Sequence, residues 1–309
     1  MADPILHIKD SYYFEVPKML WRHNYHSLEE VPAFLREAHP DAPLDQFNTD
    51  LHGKILIPQP FGKLKNLYTP GEGFCISKFM ILELLVAAIV FVIFTRLARK
   101  MKADGPAPKG RFRNMFEAFV LFIRDDVARP AIGHGADKFL PVLLTMFFFI
   151  LGCNLFGLVP WMGTATAAFG TTCALAFVTF MTGFVAGTKK FGVIGFWTNM
   201  VPGMELPWYM APIKVAIFGI EVLGTLIKHL VLAIRLLANM VAGHLVLLAV
   251  LGLIISAAKD STATWSTVAT ISVLGSICFS ILELGVAFLQ AYVFTFLSAL
   301  FIGAATHHH

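Results

Sequence analysis

Five long apolar runs organise this sequence. They cover residues 74–95, 139–159, 165–187, 213–258 and 264–303. Each could cross a hydrocarbon layer about 30 Å thick as a helix. In lipid, a helix satisfies every backbone polar group within its own segment. The pattern therefore predicts an all-α, polytopic membrane protein with three ordinary transmembrane helices followed by two unusually long ones.

The last two runs are too long for upright spans. As helices rising 1.5 Å per residue they would measure about 69 Å and 60 Å. Each run is either a hairpin of two spans or one strongly tilted helix. Neither has a proline or a charged turn near its centre, which favours two single helices tilted by about 60°, beyond the usual range of roughly 0–40°. A helix lying that obliquely needs a partner surface of unusual shape.

The remaining segments differ in character from these runs. Residues 1–70 are polar and mixed, which predicts an extramembrane arm. Residues 114–129 place apolar side chains at helical spacing among charges and are too short to span, so they predict an interfacial amphipathic helix. Residues 192–212, with three prolines and two tryptophans, predict an interfacial connector.

The distribution of basic residues predicts the orientation. One acid, Asp104, stands against seven basic residues in the loop after the first run: Arg96, Arg99, Lys100, Lys102, Lys109, Arg111 and Arg113. Basic loops remain on the cytoplasmic side. We therefore expect the N-terminus outside and the C-terminus inside, with Lys189 and Lys190 also on the cytoplasmic face.

Composition supports the membrane assignment and excludes several other classes. The chain is 57% hydrophobic and 14% charged, against about 25% charged in soluble domains. The net charge of +4 does not indicate nucleic-acid binding, because the basic residues cluster beside apolar spans. The four cysteines are scattered without metal-ligand spacing, so we expect no metal site and no disulfide. The first 20 residues show no signal-peptide pattern. The chain has no Walker motif, so we expect no nucleotide site, and we expect no cofactor.

Arg235 is the residue that the pattern singles out. It lies within the apolar run 213–258 and keeps its proton in any protein environment. A permanent charge at membrane depth costs about 2.5–3.5 kcal/mol on insertion scales unless it faces protein or water. We interpret Arg235 as a fixed cation beside an ion route. The alternative is a charge neutralised by a carboxylate for packing alone.

Charged residues recur along one face of the same run. Lys214, Glu221, Lys228 and Arg235 are spaced seven apart, a step that returns to the same helix face with a drift of about 20°. Asn239 continues that face. The alternative interpretation is a helix side joined by salt bridges, which is costly in a membrane.

A second polar set involves the last run. His244 lies nine residues past Arg235, half a turn out of phase on a helix. Glu283, with Gln290 seven residues later, offers it a partner. Glutamate and histidine can each take and release a proton when their neighbours tune them, so the pair suits a proton relay. The alternative for His244 is a satisfied core histidine.

These residues carry a family resemblance that covers about residues 74–303. The segment 221–245, EVLGTLIKHLVLAIRLLANMVAGHL, resembles the signature of subunit a of F-type ATP synthases, above all in its RL-x-x-NM-x-AGH core. Residues 283–301 resemble the last helix of that family, and NLFGLVP at 154–160 resembles the end of its second membrane helix. Residues 114–133 resemble its cytoplasmic amphipathic segment.

The resemblance implies a role for each matching residue. Arg235 corresponds to the essential stator arginine that faces the carboxylate of a rotor-ring c subunit, with Asn239 and Gln290 as polar residues beside it. His244 and Glu283 correspond to the acid–base pair of the half-channel open to the periplasm. They stand in the mitochondrial-like order, which many bacterial members reverse.

Further positions follow from the same resemblance. Glu221 corresponds to an acid on the cytoplasmic side, and Asn154 matches a polar channel position. Some bacterial members carry an aspartate where this chain has Gly157, so one polar group could be absent from the outer path. The sequence pattern divides the chain into an arm (1–70), a first membrane helix with basic loop and amphipathic helix (71–138), a membrane channel domain (139–303) and a tail (304–309).

The function implied is that of a proton-translocating stator subunit. Two offset half-channels would deliver protons to rotor carboxylates and take them away past Arg235, and rotation would drive ATP synthesis in a separate head. The chain would not be an enzyme on its own. Its partners would be the ring of c subunits, the peripheral-stalk b subunits and the lipid of a bacterial inner membrane. The coupling ion, proton or sodium, stays open.

Two other functions are compatible with parts of the pattern. A secondary proton-coupled transporter also uses intramembrane Arg, His and Glu, but it predicts an inverted repeat and broken helices at a midplane site, and neither is visible. A purely structural membrane anchor has no need of polar groups at depth, which the charged face argues against.

Overall fold

The structure is a computed structural model that describes residues 9–17, 25–38, 40, 42–104, 110–133, 135–159, 162–199, 211–258 and 261–306. Nine α-helices occur in this part of the chain: α1 (Ala33–Ala38), α2 (Leu44–Leu51), α3 (Lys78–Asp104), α4 (Arg111–Phe122), α5 (Arg129–Ile132), α6 (Leu140–Gly157), α7 (Phe169–Asn199), α8 (Ala211–Ala257) and α9 (Thr262–Thr306). Five of them are long and apolar enough to cross a membrane: α3, α6, α7, α8 and α9. This confirms the predicted all-α polytopic class.

The two longest apolar runs each form one helix and not a hairpin. Helix α8 has 47 residues and α9 has 45. Sequence signals explain where they start. Pro212 lies in the first turn of α8, where its missing N–H costs nothing. Ser261 precedes α9, and its Oγ accepts the backbone N–H of Thr264 as an N-cap. The tilt of these helices in a membrane stays a prediction.

Helix α7 continues past its predicted end. It runs to Asn199, with a break at Gly192, where φ is 77° and ψ is 167°. Only glycine adopts such a backbone conformation readily, so the helix changes direction there. The predicted connector thus begins at the break with a short helical piece, and residues 200–210 of that connector lie outside the described residues.

Three other parts of the sequence fall wholly or partly outside the described residues. Lys109 of the basic loop belongs to residues 105–109, which are not described, whereas the four basic residues before it lie in the last turns of α3. Pro160 and the terminal histidines 307–309 also lie outside the described residues.

The chain forms two compact units, and each is discontinuous in sequence. The first contains residues 1–88, 153–168 and 241–283. Its N-terminal part holds two antiparallel ribbons, β1 (Tyr13–Glu15) with β2 (Lys54–Leu56) and β3 (Gly62–Leu64) with β4 (Pro70–Gly73). A small core of Val31, Leu35, Phe47 and Leu51 underlies α1 and α2. The predicted arm is therefore folded over its described residues, and its extramembrane position stays a prediction.

A second core cluster of the same unit lies near the start of α3. Phe79 and Leu82 are buried against Ala165, with Phe14 and Phe156 packed around them. Ser77 caps this helix, since its Oγ accepts the N–H of Met80. This packing fixes the segment 162–168 that follows α6.

The second unit contains residues 89–152, 169–240 and 284–309. Its aromatic cluster joins α3, α4 and α6, with Phe116 stacked on Phe148 at 5.5 Å between ring centroids and Phe94 edge-on to Phe148 at 4.9 Å. The amphipathic segment thus packs its apolar face inward, and it continues as a π-helical turn, Ile123–Ala128, into α5. On its polar side the hydrogen bond from Arg124 lowers the pKa of the Asp125 carboxyl.

Helix α9 buries a face of small residues in this unit. Ala287, Ala291, Ser298 and Ala299 are all fully buried. Small side chains let neighbouring backbones approach closely, which is how membrane helices associate without a hydrophobic driving force. By contrast, many leucine, isoleucine and valine side chains of α8 and α9 are exposed, as suits helices surrounded by lipid or by apolar partners.

Candidate functional site

His244 and Glu283 lie together in the first unit, as their types suggested. His244 Nδ1 is 3.2 Å from Glu283 Oε1, within ion-pair distance. Only 6% of the Glu283 side chain and 18% of the His244 side chain are exposed. The contact is not aligned as a hydrogen bond, since Oε1 makes none with a described residue. A buried carboxyl beside an imidazole is a group that can hold or pass a proton.

Thr164 contacts the other side of the His244 ring. Its Oγ1 is within hydrogen-bond range of His244 Nε2, and the residue is almost fully buried. A hydroxyl can donate to a bare ring nitrogen or accept from a protonated one. Thr164 therefore suits both protonation states of His244.

A second buried polar pair lies in the same unit. Asn154, at the end of α6, is fully buried, and its Oδ1 accepts a hydrogen bond of 2.8 Å from Thr166 Oγ1. Thr166 is fully buried as well. Polar side chains buried this completely are normally paired, as these are. Sequence reasoning missed Thr164 and Thr166, although the polar G-T-A-T run at the start of the third apolar segment was a visible signal.

Two glycines leave the space that these side chains occupy. A Cβ atom added to Gly243 would lie 2.6 Å from Glu283 Oε1, closer than real Cβ contacts. A Cβ atom added to Gly157 would overlap the side chain of Thr164. The side chain of Thr164 thus fills the space beside Gly157.

The second unit contains Arg235 and its neighbours. Arg235 is exposed on α8, and no acid among the described residues forms an ion pair with it. Asn239, one turn further along, is exposed too. Gln290 on α9 is buried, and its Nε2 donates a 3.0 Å hydrogen bond to the backbone oxygen of Arg235. The alternative of an internal partner that neutralises Arg235 finds no support in the described residues.

The predicted charged face is partly visible. Lys228 Nζ lies 3.9 Å from Glu221 Oε1, so residues seven apart do share a face. Their side chains are 57% and 46% exposed. The side chain of Lys214 lies outside the description, and Arg235, the next member of the series, stands without an acid partner among the described residues.

The described residues offer little else that could hold a metal or a cofactor. They contain no group of three or more His, Cys, Asp or Glu side chains placed to hold a metal ion. Cys75, Cys153, Cys173 and Cys278 are free thiols. The groups that the described site does contain are a proton-binding pair, His244 and Glu283, and a permanent cation, Arg235.

Comparison with known families decides the assignment. The model of the ATP synthase A chain family matches residues 80–303, which include every candidate site residue. The chain belongs to the ATP synthase A chain family. This confirms the resemblance found in the sequence.

Curated members of the family are closely similar. ATP synthase subunit a 2 of Chlorobaculum tepidum is 43% identical over 255 residues, which cover 81% of this chain and 69% of that protein. Subunit a of Chlorobium phaeobacteroides is 41% identical over 84% of this chain and 73% of its own length. That of Chloroherpeton thalassium is 37% identical over 87% and 79%. As a member of this family with five membrane-length helices among its described residues, the protein is a membrane subunit in ATP synthesis.

Proposed function

We propose that this chain is the proton-translocating stator subunit of an F-type ATP synthase, in which two half-channels serve the carboxylates of a rotating ring of c subunits. The observation that carries the proposal is Arg235, a permanent cation exposed on an apolar helix without an acid partner in the described chain. Membership of the family supports the assignment.

Arg235 needs a partner from outside the chain. An uncompensated charge among apolar groups in a membrane is costly, whereas a carboxylate that comes and goes would stabilise it in turn. A rotor carboxylate supplies this charge when deprotonated. The fixed guanidinium then attracts each arriving carboxylate and repels protons that would cross directly between the two half-channels.

The outer half-channel is assigned to the first unit. Glu283, His244 and Thr164 form a buried series of groups that accept and donate protons, with the Asn154–Thr166 pair as further polar lining. A proton arriving at Glu283 passes to His244, and the Thr164 hydroxyl turns as the ring nitrogen gains or loses its proton. The proton then neutralises a rotor carboxylate, which can move through lipid without the penalty of a charge.

The inner half-channel is assigned to the Glu221 side of the second unit, and Asn239 and Gln290 are placed beside Arg235. We infer that the protein resides in a bacterial inner membrane with its N-terminus in the periplasm and its C-terminus in the cytoplasm. Peripheral-stalk b subunits and the c ring are its partners. Nucleotide chemistry takes place in a separate head, so this chain is not an enzyme by itself.

The test combines loss of charge with cross-linking. In membrane vesicles, Arg235→Ala should abolish proton-driven ATP synthesis while the complex still assembles and its head hydrolyses ATP. Arg99→Ala removes an exposed cation from the end of α3 and should leave synthesis near normal. A cysteine at Asn239 should cross-link to a small ring-forming subunit. Near-normal synthesis by Arg235→Ala would overturn the proposal, and absence of the cross-link would favour a transporter or an anchor.

A further inference from the structure

A cavity of about 110 Å³ lies in the second unit between α7, α8 and α9. This volume is several times the roughly 10–15 Å³ that one water molecule needs by the same measure, so the cavity has room for several waters. Helix α7 lines it with Phe180, Gly183, Phe184 and Phe196, and α9 lines it with Phe301, Ala304 and Ala305. Its titratable side chains are Glu221, Lys228 and His229, all from α8.

His229 is the buried member of this group. The residue is 8% exposed, and its Nδ1 lies 2.8 Å from the backbone oxygen of Thr225. A carbonyl oxygen only accepts, so Nδ1 carries the hydrogen. In the neutral ring Nε2 is then a bare lone pair, and no described residue forms a hydrogen bond with it. Buried polar atoms are normally paired with protein groups or ordered water, so this nitrogen lacks a partner that it would ordinarily have.

Two phenylalanines hold the ring in this orientation. Phe180 meets it edge-on at 5.3 Å between ring centroids, and Phe301 lies against it at 4.5 Å with an interplanar angle of 37°. His229 lines the cavity, and with Nδ1 bonded to the backbone, Nε2 is the buried ring nitrogen that has no hydrogen-bond partner among the described residues. Glu221 and Lys228, which line the same cavity, are about half exposed, so the cavity opens toward the surface on their side.

We propose that His229 is a proton-relay residue of the inner half-channel. Nε2 accepts a proton from a hydronium ion in the cavity, which leaves water and an imidazolium ring. The imidazolium then gives the proton from Nε2 to a second water, which carries it toward Glu221, while Nδ1–H keeps its bond to Thr225. The proposal rests on the proposed function, since it supplies that function with a named proton carrier.

Water access is the first test. In a chain with Cys75, Cys173 and Cys278 changed to alanine, His229→Cys is exposed to 2-aminoethyl methanethiosulfonate in inverted vesicles, and the mass shift is followed. The matched control is Leu232→Cys, which is buried on the same helix and lies outside the cavity lining. Because the thiolate is the reacting species, we expect a cysteine at 229 to react at least roughly tenfold faster. Equal, slow reaction at both positions would show a dry cavity and overturn the proposal.

Proton transfer is the second test. His229→Gln keeps a hydrogen-bonding side chain that does not titrate, and His229→Phe keeps an aromatic ring. Both should lower ATP-driven proton pumping by at least about tenfold, because a positioned proton carrier accelerates the step that it serves by about 10²-fold or more. The part of the dependence of pumping on cytoplasmic-side pH that comes from protonation of His229 should also disappear. Mere packing of His229 would leave that pH profile unchanged.

The outcomes separate the two proposals. Suppose that His229→Gln pumps normally with an unchanged pH profile, while Arg235→Ala has lost ATP synthesis. That result would overturn the relay alone, even if the cysteine at 229 reacts rapidly. Normal pumping by both variants would overturn the proposed function. If the glutamine and phenylalanine variants fail to assemble, the labelling comparison decides, because it needs only an assembled complex.

Discussion

Replacing Gly243 with alanine tests the outer cluster through the space that the glycine leaves. The new Cβ atom would lie 2.6 Å from Glu283 Oε1 and 3.2 Å from its carboxyl carbon. Carbon–oxygen contacts ordinarily fall near 3.3–3.6 Å, so the oxygen must move by about 0.7 Å or the carboxyl must turn away. Gly243→Ala therefore perturbs Glu283 without changing either proton-carrying residue.

The geometry sets the size of the effect. His244 is held on both sides, by the 3.2 Å contact with Glu283 and by Thr164 at Nε2, so the ring is not free to follow. A shift of about 0.7 Å along the line from His244 would lengthen that contact to about 3.9 Å, too far for the two groups to align as a hydrogen-bonded pair for proton transfer. Misplacing a reacting group by about 1 Å can cost about 10²-fold in rate. We expect proton pumping to fall by about 10- to 100-fold.

The assay is ATP-driven proton pumping in inverted vesicles, measured by quenching of an acridine dye and normalised to the amount of assembled complex. Gly252→Ala is the matched control. It lies on the same helix, and an added Cβ would meet nothing within 4 Å. Alanine in place of glycine favours a helix by about 1 kcal/mol, so this control should pump normally. Equal pumping by the two variants would refute the close packing of Gly243 against Glu283.

Three further predictions concern the same path and its orientation. Glu283→Gln should reduce proton pumping strongly, because the amide keeps the shape but does not take up and release a proton. Exchanging Glu283 and His244 should restore part of the pumping. A glutamine variant that pumps normally would remove Glu283 from the path. Thr164→Val keeps the volume but loses the hydroxyl, so pumping should fall by several-fold, and an unchanged rate would leave Thr164 a packing residue. In a background without reactive native thiols, a cysteine at Ala103 should resist an impermeant thiol reagent in intact cells while one at Ser27 reacts; the reverse labelling would invert the topology.

Much of the fold could be predicted because a membrane helix is recognisable in the sequence as a long apolar run. The runs at 213–258 and 264–303 lie within two residues of α8 and within three of α9 at each end. The short elements before residue 70 were not predicted, because α1 and α2 have six and eight residues and no periodic run is that short. Their formation depends on a core that joins Val31 to Leu51 and leaves no local signal.

The candidate site divides in the same way. Arg235, His244 and Glu283 were visible because charged or titratable groups stand out in apolar runs. Thr164 was missed, because threonine is ordinary near a helix end and its contact with His244 depends on how the turn after α6 folds back. His229 was missed as well, because its bare nitrogen and the cavity beside it are properties of three packed helices.

The hydrogen bond from Gln290 to Arg235 has a mechanical consequence. It ends on the backbone oxygen of residue 235, so it fastens α8 to α9 whatever side chain that residue carries. A carboxylate that pulls sideways on the guanidinium transmits its force through this bond into the close-packed alanine face of α9, around Ala287 and Ala291. The backbone of Arg235 is thus held in place by Gln290 on α9. A substitution such as Arg235→Ala removes the charge while leaving the hydrogen bond between Gln290 and the backbone of residue 235 in place.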